Sequence, residues 1–412
     1  MGLAPTLQDT PHVAAWRMVL AGLSASLVGI GLARFAYTPL IPPLIQAHWF
    51  AASDVVSLGA ANLAGYLVGA IVGRPLAARI GNAHSLRAMM LAVTVAFLAC
   101  AFPLSIGWFF VWRLISGIAG GTIMVLVAAT LLPHVPPGRR GLTSGAIFLG
   151  LGLGIAGSGT LVPLLLELGL RDTWTGLAAL SAAFTAVSWF AWPPSAADAA
   201  APAAMHDAHG AHPAAPVSVL FVLYAQYALM AAGLVPAMVF LVDFVVRGLH
   251  ERAHVGAVFW ALYGVGAIVG PPLYGLLGDR LGARRALRVV LALQAAAVVS
   301  LCAFHATLAL GVVAIVIGTF PPGIVPVVLA RVRELDPHNV TRQNRTWSRA
   351  TTVFAAAQAV SGYAYSVLFN ASNGNHRLLF VIAAIAIALS LAIDFLVIAR
   401  HEHEDGGIRP AT

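Results

Sequence analysis

Long apolar runs, one after another, constrain this chain more than any other feature of its sequence. A helix needs about 20 mostly apolar residues to cross the roughly 30 Å hydrocarbon core of a bilayer. We count twelve such runs, whose ends are defined to within a few residues. The predicted spans, which we call predicted helices 1 to 12, cover residues 14–44, 54–78, 86–104, 107–132, 142–168, 173–192, 218–246, 254–277, 286–304, 307–332, 348–369 and 378–399.

Charged side chains are scarce, and this scarcity supports a membrane location. The chain is 60% hydrophobic and 9% charged, whereas a soluble domain carries roughly 25% charged residues. So little polar surface cannot cover a water-soluble particle, and the solvent must therefore be largely lipid. The formal charge of +8 does not indicate nucleic-acid binding, because the arginines lie in short loops between apolar runs. We expect a lipid bilayer as a partner and no nucleic acid.

The arginines also predict the orientation of the helices. If the N-terminus is cytoplasmic, seventeen arginines fall in inner segments and four in outer loops, which is the asymmetry expected of a membrane protein. An even number of spans then places both termini in the cytoplasm. No lysine occurs, and we associate this composition bias with a bacterial source. We therefore predict a multi-pass protein of a bacterial inner membrane, and we expect it to be monomeric.

A loop rich in glycine and arginine separates predicted helices 8 and 9 and suggests an internal repeat. Its spacing is Gly-x-x-x-Asp-Arg-x-Gly-x-Arg-Arg, formed by Gly275, Asp279, Arg280, Gly282, Arg284 and Arg285. A fainter copy lies at the end of predicted helix 2, where Arg79 and Gly81 match Arg280 and Gly282. We therefore divide the chain into residues 1–192, a linker 193–217 rich in Ala, Pro and His, and residues 218–412.

These motifs resemble those of the major facilitator superfamily. The loop after Gly275 resembles the family's signature loop between the second and third helices of a six-helix half. Arg113 and Gly117 are similar to the family's Arg-x-x-x-Gly pattern on helix 4, and predicted helix 5 is rich in glycine. More narrowly, residues 31–40 and 62–69 resemble the YbfB/YjiJ-like branch. The resemblance implies an all-α membrane protein with twelve transmembrane helices in two pseudo-symmetric six-helix bundles, a transporter rather than an enzyme, without a cofactor.

The first copy of the loop departs from the family pattern. It has Ala78 where the family usually carries Asp, and Arg74 where the family loop opens with Gly. In the family that acid is thought to brace the loop against the opposite half. The resemblance therefore assigns a gating role to Asp279 and its loop, against the start of predicted helix 5. The forces available there, a helix dipole and an exposed charge pair, each contribute about 0.3–1 kcal/mol, and we expect the gate to be asymmetric.

Arg34 is the clearest candidate for substrate binding. It lies about 25 Å along a helix from Arg17, beyond the middle of a hydrocarbon core about 30 Å thick. A guanidinium at that depth costs several kcal/mol unless it meets water, an acid or a ligand. One interpretation is a docking site for a carboxylate or other oxyanion; the alternative is a structural arginine held by backbone carbonyls or by Asp54. The prolines that begin at Pro39 predict a bend just outward of Arg34.

A second arginine and one acid complete the charged candidates. Arg113 lies inside predicted helix 4, where it either assists in binding or caps the carbonyls of a neighbouring helix. Asp243, near the outer end of predicted helix 7, is the candidate for proton coupling. Its alternative role is an i, i+4 pair with Arg247. No carboxylate falls clearly at mid-membrane depth in the sequence, which disfavours drug–proton antiport and permits anion symport or facilitated exchange.

Polar residues at membrane depth indicate a cavity between the halves. Each of them alone is compatible with packing between helices, but together with Arg113 they cluster on predicted helices 1, 2, 4, 7, 8 and 11. The predicted lining residues are Tyr37, Asn62, Tyr66, Tyr224, Gln226, Tyr227, Tyr263, Gln358 and Tyr363.

The sequence therefore predicts alternating-access transport of a small organic solute, an anion such as a carboxylate, docked by Arg34 with help from Arg113. One alternative is an efflux pump for hydrophobic or cationic compounds. A copper transporter is a weaker alternative, because Met230 and Met238 are too far apart in sequence for a tight ligand pair and His254 stands at a helix end. We predict no metal site. An integral-membrane enzyme would need a catalytic cluster inside the spans, and the sequence contains none.

Overall fold

Helices account for the regular structure of residues 11–193, 216–304 and 306–406, which the computed structural model describes, and no strand occurs among them. The predicted all-α class is confirmed. Twelve long helices follow the twelve predicted runs. They are α1 (Pro11–Ser26, continued by a π-helical segment, Leu27–Phe35), α2 (Ala52–Ile80), α3 (Asn82–Cys100), α4 (Ile106–Leu131), α5 (Arg140–Leu166), α6 (Leu170–Ser188), α7 (Val217–Asp243), α8 (Ala253–Leu281), α9 (Ala283–Ala303), α10 (Thr307–Gly318 and Phe320–Leu335), α11 (Val340–Ala371) and α12 (His376–Gly406).

Eleven of the described helices are long and apolar enough to cross a membrane. The twelfth, α6, carries Arg171 and Asp172 in its first turn and hydroxyl side chains along its length. Most of these hydroxyls bond to carbonyls of the preceding turn, as the Thr185 hydroxyl does to Ser181 O at 2.7 Å, and the Ser181 hydroxyl lies 2.8 Å from Thr94 Oγ1 of α3. Because these hydroxyls are satisfied within the protein, α6 is compatible with the predicted sixth span. Nearly all of the predicted linker lies outside the described residues, so the division of the chain there stays a prediction.

The first span departs from α-helical geometry earlier than predicted. We expected a bend at the prolines beyond Arg34, but regular α geometry ends at Ser26 and a π-helical segment carries Arg34. Close packing accompanies this change: a Cβ atom on Gly31 would lie 2.8 Å from Gly150 O and 2.9 Å from Gly154 Cα. A π-turn also shifts the carbonyls out of the regular i to i+4 ladder, which makes them available to side chains of neighbouring helices.

The two bundles use the same kind of helix contact in equivalent positions. In the first bundle, a Cβ atom on Gly117 of α4 would overlap the carbonyl oxygen of Asn62 on α2. In the second, a Cβ atom on Gly318 of α10 would overlap the carbonyl oxygen of Tyr263 on α8. Small residues permit such close backbone approach within membranes. The equivalence of α2–α4 and α8–α10 supports the predicted pseudo-symmetry of the fold.

Contacts between the bundles run mainly through α5 and α8. The backbones meet so closely that a Cβ atom on Gly145 or Gly152 would overlap the carbonyl oxygens of Pro271 or Ala267, respectively. A second contact joins α2 and α11, where the Ser348 hydroxyl donates to Ala70 O at 3.4 Å. We call the end of the bundle at which α2 meets α3 and α8 meets α9 the arginine-rich end. The other end is the opposite end.

Candidate functional site

Arg34 connects the two bundles through a hydrogen bond. Its Nη2 atom donates to Oε1 of Gln358 on α11 at 2.8 Å. The side chain of Arg34 is half-buried although the residues on either side of it along the chain are buried. Among the described residues, no carboxylate pairs with its guanidinium. A full positive charge is therefore held at membrane depth by a neutral amide.

Aromatic rings complete the surroundings of this guanidinium. The Cζ atom of Arg34 lies 5.9 Å from the ring centroid of Tyr66 and 5.5 Å from that of Phe35. Tyr263 on α8 also interacts electrostatically with Arg34. Contacts of a cation with a ring face within about 6 Å contribute roughly 0.5–2 kcal/mol. These rings stabilise the charge without neutralising it.

Two of the predicted lining tyrosines have hydroxyls that are buried without a hydrogen-bond partner among the described residues. They belong to Tyr224 and Tyr263. The Tyr263 side chain is fully buried, and its ring stacks on Trp260 at a centroid distance of 5.1 Å. An unsatisfied buried hydroxyl costs about 1–3 kcal/mol. A polar ligand that accepts a hydrogen bond from Tyr263 would remove that cost.

The second bundle supplies an aromatic wall. The ring of Tyr227 on α7 lies 4.5 Å from that of Phe354 and 6.3 Å from that of Trp347, both on α11. Trp347 reaches the first bundle, where its Nε1 atom donates to Met124 O at 3.2 Å. Gln358 also contacts Met238, with 4.0 Å between Nε2 and Sδ.

We define the central cluster as the five predicted site residues that the structure brings together: Arg34, Tyr66, Tyr227, Tyr263 and Gln358. Sequence reasoning missed its aromatic neighbours Trp260, Trp347 and Phe354. Helical spacing could have found them, because Trp260 precedes Tyr263 by one turn and Phe354 and Trp347 precede Gln358 by one and three turns.

Arg113 has a separate role in the structure. It is 3% exposed, and its Nη1 atom donates to the carbonyl of Ala33 in the π-helical segment at 2.8 Å. Its Cζ atom lies 4.2 Å from the ring centroid of Tyr37, and the Tyr37 hydroxyl donates to Val55 O at 2.7 Å. Arg113 and Tyr37 thus fasten α1 to α2 and α4, which positions the segment that carries Arg34.

Three other predicted lining residues lie elsewhere. The side-chain amide of Asn62 donates to Ser116 Oγ at 2.9 Å in the α2–α4 contact. The amide of Gln226 donates to Ser390 O at 3.0 Å, which joins α7 to α12 within the second bundle. Tyr363 is 76% exposed and lies about 140° around α11 from Gln358. The structure therefore does not bring these three residues to the central cluster.

Asp243 lies at the opposite end, away from Arg34. Its carboxylate accepts from Arg247 Nη2 at 2.6 Å and lies 2.6 Å from His376 Nε2. The His376 ring also contacts Phe244 and Phe369, with centroid distances of 5.8 and 4.9 Å. This group joins the end of α7 to the start of α12 and contains a carboxylate and an imidazole that can both exchange protons.

The loop after Gly275 connects the bundles at the arginine-rich end. The Asp279 carboxylate accepts from the backbone N–H groups of Gly141 and Leu142 at 2.8 and 2.7 Å. These N–H groups open α5, where the helix dipole favours a negative charge. Gly275 packs directly against Gly141.

The rest of the loop is held within the second bundle. Gly282, with a φ of +78°, ends α8 and begins α9. Arg284 lies 3.4 Å from Asp394 of α12, whereas the side chains of Arg280 and Arg285 extend from exposed positions at the same end. Of these loop residues, Gly275 and Asp279 contact the start of α5 in the first bundle.

Metal ligands are not brought together among the described residues, where no group of three His, Cys, Asp or Glu side chains is arranged to hold an ion. Met230 is buried, and Met238 contacts Gln358 instead of a second sulfur or imidazole. The histidines of the linker lie outside the described residues. The copper alternative thus gains no support from this arrangement.

Two pseudo-symmetric six-helix bundles with a polar cluster between them define a transporter of the major facilitator superfamily, and solved structures of that class agree. A proton:xylose symporter, XylE, bound to 6-bromo-6-deoxy-D-glucose superimposes with a TM-score of 0.72, at 12% identity over 94% of this chain and 96% of the other. The human organic anion transporter MFSD10 (TETRAN) superimposes with a TM-score of 0.71, at 17% identity over 94% of this chain and 100% of the other.

Within that class, residues 26–395 match the family described as "Uncharacterised MFS-type transporter YbfB", and the chain belongs to that family. A curated relative, the uncharacterized MFS-type transporter YwfA of Bacillus subtilis (strain 168), is 28% identical over 134 residues. That match spans about a third of each chain, 32% in both. The predicted family is therefore confirmed, and with it a membrane transport protein for small molecules, a class without enzymatic activity.

Proposed function

We propose that this protein moves a small organic anion, such as a carboxylate, by alternating access, and that Arg34 docks the negative group. The observation that carries the proposal is the state of Arg34 itself. Its guanidinium lies between the bundles, is half-buried, and is bonded to the neutral amide of Gln358 without a carboxylate partner among the described residues.

The energetics of a charge at membrane depth favour an anionic ligand. An unneutralised guanidinium in a bilayer costs several kcal/mol, and a carboxylate can accept two parallel hydrogen bonds from it. The anion would replace the amide of Gln358 as the partner of Arg34. The buried, unpaired hydroxyl of Tyr263 is a further donor for it. A cationic substrate would meet repulsion from Arg34, which disfavours the efflux alternative.

The positions of the contacts support alternating access. Arg34 and Gln358 belong to opposite bundles, so a ligand bound between them responds to any change in the distance between the bundles. The contact of Asp279 with the start of α5 closes the arginine-rich end. From the arginine distribution we propose that this end is cytoplasmic in a bacterial inner membrane, with both termini inside and a monomer as the working unit.

We propose Asp243 as the site of proton coupling, in a symport mechanism. Its carboxylate lies 2.6 Å from His376 Nε2 and accepts from Arg247, so a proton gained there would weaken the connection of α7 to α12. The test is uptake into proteoliposomes with and without an inward proton gradient. Wild type should be driven by the gradient, and Asp243→Asn should retain exchange but lose the response; an unchanged response in the variant would place coupling elsewhere.

The anion site is tested by a thermal-shift screen of purified protein against small acids, amines and metal ions. A ligand at 100 times its dissociation constant stabilises the folded state by about 2.7 kcal/mol. We expect carboxylates to stabilise wild type and the control Arg171→Ala, which removes an arginine packed on Phe102, but not Arg34→Ala. Stabilisation by amines or metals alone, or an equal carboxylate response in well-folded Arg34→Ala, would contradict the proposal.

A further inference from the structure

A polar cavity lies between the bundles at the arginine-rich end, away from the central cluster. Its volume is about 40 Å³, which exceeds the roughly 10–15 Å³ that one water molecule needs on the same scale. The first bundle contributes Arg140 at the start of α5, and the second contributes Arg333 of α10 with Gln343 and Asn344 of α11. The walls therefore combine two positive charges with two amides.

Arg333 is the unusual member of this cavity. Its Nε and Nη2 atoms are buried and have no hydrogen-bond partner among the described residues. Asp279 is the acid that attracts it electrostatically, but both oxygens of that carboxylate already accept backbone N–H groups of α5. Unmade hydrogen bonds of a buried charged group are costly, and the side chain that carries these two unpaired donors lines the cavity.

The second arginine makes the imbalance of charge larger. Arg140 and Arg333 repel each other across the boundary between the bundles. The Nε atom of Arg140 donates to the carbonyl of Val135 at 2.9 Å, which satisfies one donor and leaves the charge in place. By contrast, Arg331, which precedes Arg333 by two residues on α10, forms an ion pair with Glu334 at 3.1 Å. The positive charges of Arg140 and Arg333 therefore both remain at the cavity, whereas the charge of the nearby Arg331 is neutralised by Glu334.

We propose that this cavity binds an oxyanion of the phosphate type, which bridges Arg140 and Arg333 and holds the arginine-rich end closed. Its volume accommodates a group of a few heavy atoms, and guanidinium groups bind phosphate through paired hydrogen bonds. The ligand is either free phosphate or the phosphate of an anionic lipid headgroup, because the end of the bundle lies where headgroups and solution meet. Since the two arginines belong to different bundles, occupancy is linked to closure of that end.

The first test uses inorganic phosphate and the purified full-length protein in detergent. The melting temperature is measured as phosphate is added, against sodium chloride at matched ionic strength. We expect a saturable rise for wild type, none for Arg333→Gln or Arg140→Gln, and a normal rise for Arg331→Gln, which removes the same charge two residues away. Size-exclusion chromatography identifies the variants that are folded, and two independent cavity variants keep the test decisive if one of them is not.

The second test separates free phosphate from a lipid. Hydrogen exchange at residues 132–140 and 333–344 is compared in nanodiscs of phosphatidylcholine and in nanodiscs that also contain phosphatidylglycerol. Protection that needs phosphatidylglycerol and Arg333, without a response to inorganic phosphate, identifies a headgroup site. No response to either anion in wild type, or an equal response in Arg333→Gln, overturns the proposal. Arg34→Ala should keep the response, so the outcome is independent of the transport proposal.

Discussion

Nη2 of Arg34 donates a 2.8 Å hydrogen bond to Oε1 of Gln358, although the two residues belong to opposite bundles. The arginine contributes a full charge and the glutamine a neutral amide, so the bond solvates the charge without neutralising it. An amide is a partner that an anion can displace, because a carboxylate adds its own negative charge and can accept two parallel hydrogen bonds from a guanidinium. Arg34 and Gln358 therefore form a site at which a negative group can bind.

Gln358→Glu should place a carboxylate in the protein that competes with the substrate for Arg34. A carboxylate at this position would pair with Arg34 in place of the substrate, and charge-assisted hydrogen bonds contribute about 1.5–3 kcal/mol. We expect the dissociation constant of a carboxylate ligand to rise by about 10-fold or more. Isothermal titration calorimetry on the purified variant measures this change.

The matched control is Gln358→Met, which keeps the length of the side chain and does not introduce the negative charge of glutamate. It should bind the carboxylate with an affinity within a few-fold of wild type, because Arg34 itself is unchanged. If the two variants bind equally well, the guanidinium of Arg34 is not the docking group for the anion.

Arg113→Met should destabilise the protein in the absence of any ligand. The change removes the bond from Nη1 to Ala33 O and the stacking on Tyr37, and a lost hydrogen bond to a charged group costs about 1.5–3 kcal/mol. We expect a lower melting temperature in detergent, whereas Arg34→Met should lose ligand response with little change in that temperature. A stable Arg113→Met protein without ligand response would instead make Arg113 a direct ligand of the substrate.

Asp279→Asn should loosen the arginine-rich end. One carboxylate now accepts two N–H groups of α5, and the interaction of a charge with a helix N-terminus contributes about 0.3–1 kcal/mol. We expect faster hydrogen exchange at residues 139–145 and a larger share of conformations open at this end. Asp172→Asn, in the first turn of α6, removes an acid from another helix start and should leave this exchange unchanged. Identical hydrogen exchange in wild type and Asp279→Asn would show that Asp279 does not hold this end closed.

The sequence predicted how deep a residue lies in the membrane better than it predicted which way its side chain points. Apolar runs of sufficient length defined the helices, and a charged side chain inside a run marked Arg34 and Arg113 as exceptional. Which way each side chain points was not available, because helices that are apolar on all sides give no strong signal of orientation. Asn62, Gln226 and Tyr363 were predicted to line the cavity for this reason, and the structure places them at helix contacts or on the surface.

The π-helical segment of α1 could not be predicted from local sequence. Apart from Arg34, its residues are apolar or glycine, as in an ordinary membrane helix, and the segment depends on partners far along the chain. Gly31 lies against Gly150 and Gly154 of α5, and Ala33 O accepts from Arg113 of α4. Tertiary contacts of this kind override local preference, and they decide the orientation of Arg34.

Gly152→Ala should separate α5 from α8 and destabilise the arrangement in which they meet. A Cβ atom at this position would overlap the carbonyl oxygen of Ala267, and overpacking of this kind typically costs about 1–3 kcal/mol. The same helix offers a control, because a Cβ atom on Gly157 would meet no side chain and no backbone of another helix within 4 Å. Gly157→Ala should be neutral or slightly stabilising, since alanine favours helix over glycine by about 0.5–1 kcal/mol.

The melting temperatures of the two alanine variants, measured side by side in detergent, decide the matter. A drop for Gly152→Ala beside an unchanged or higher value for Gly157→Ala shows that the protein rests with α5 and α8 in contact. In that case Gly152→Ala should also increase hydrogen exchange at the start of α5, because the bond from Leu142 N to Asp279 depends on the same approach of the two helices. Equal melting temperatures would mean that α5 and α8 lie farther apart in solution, and the contact of Asp279 with α5 would then belong to a minor conformation.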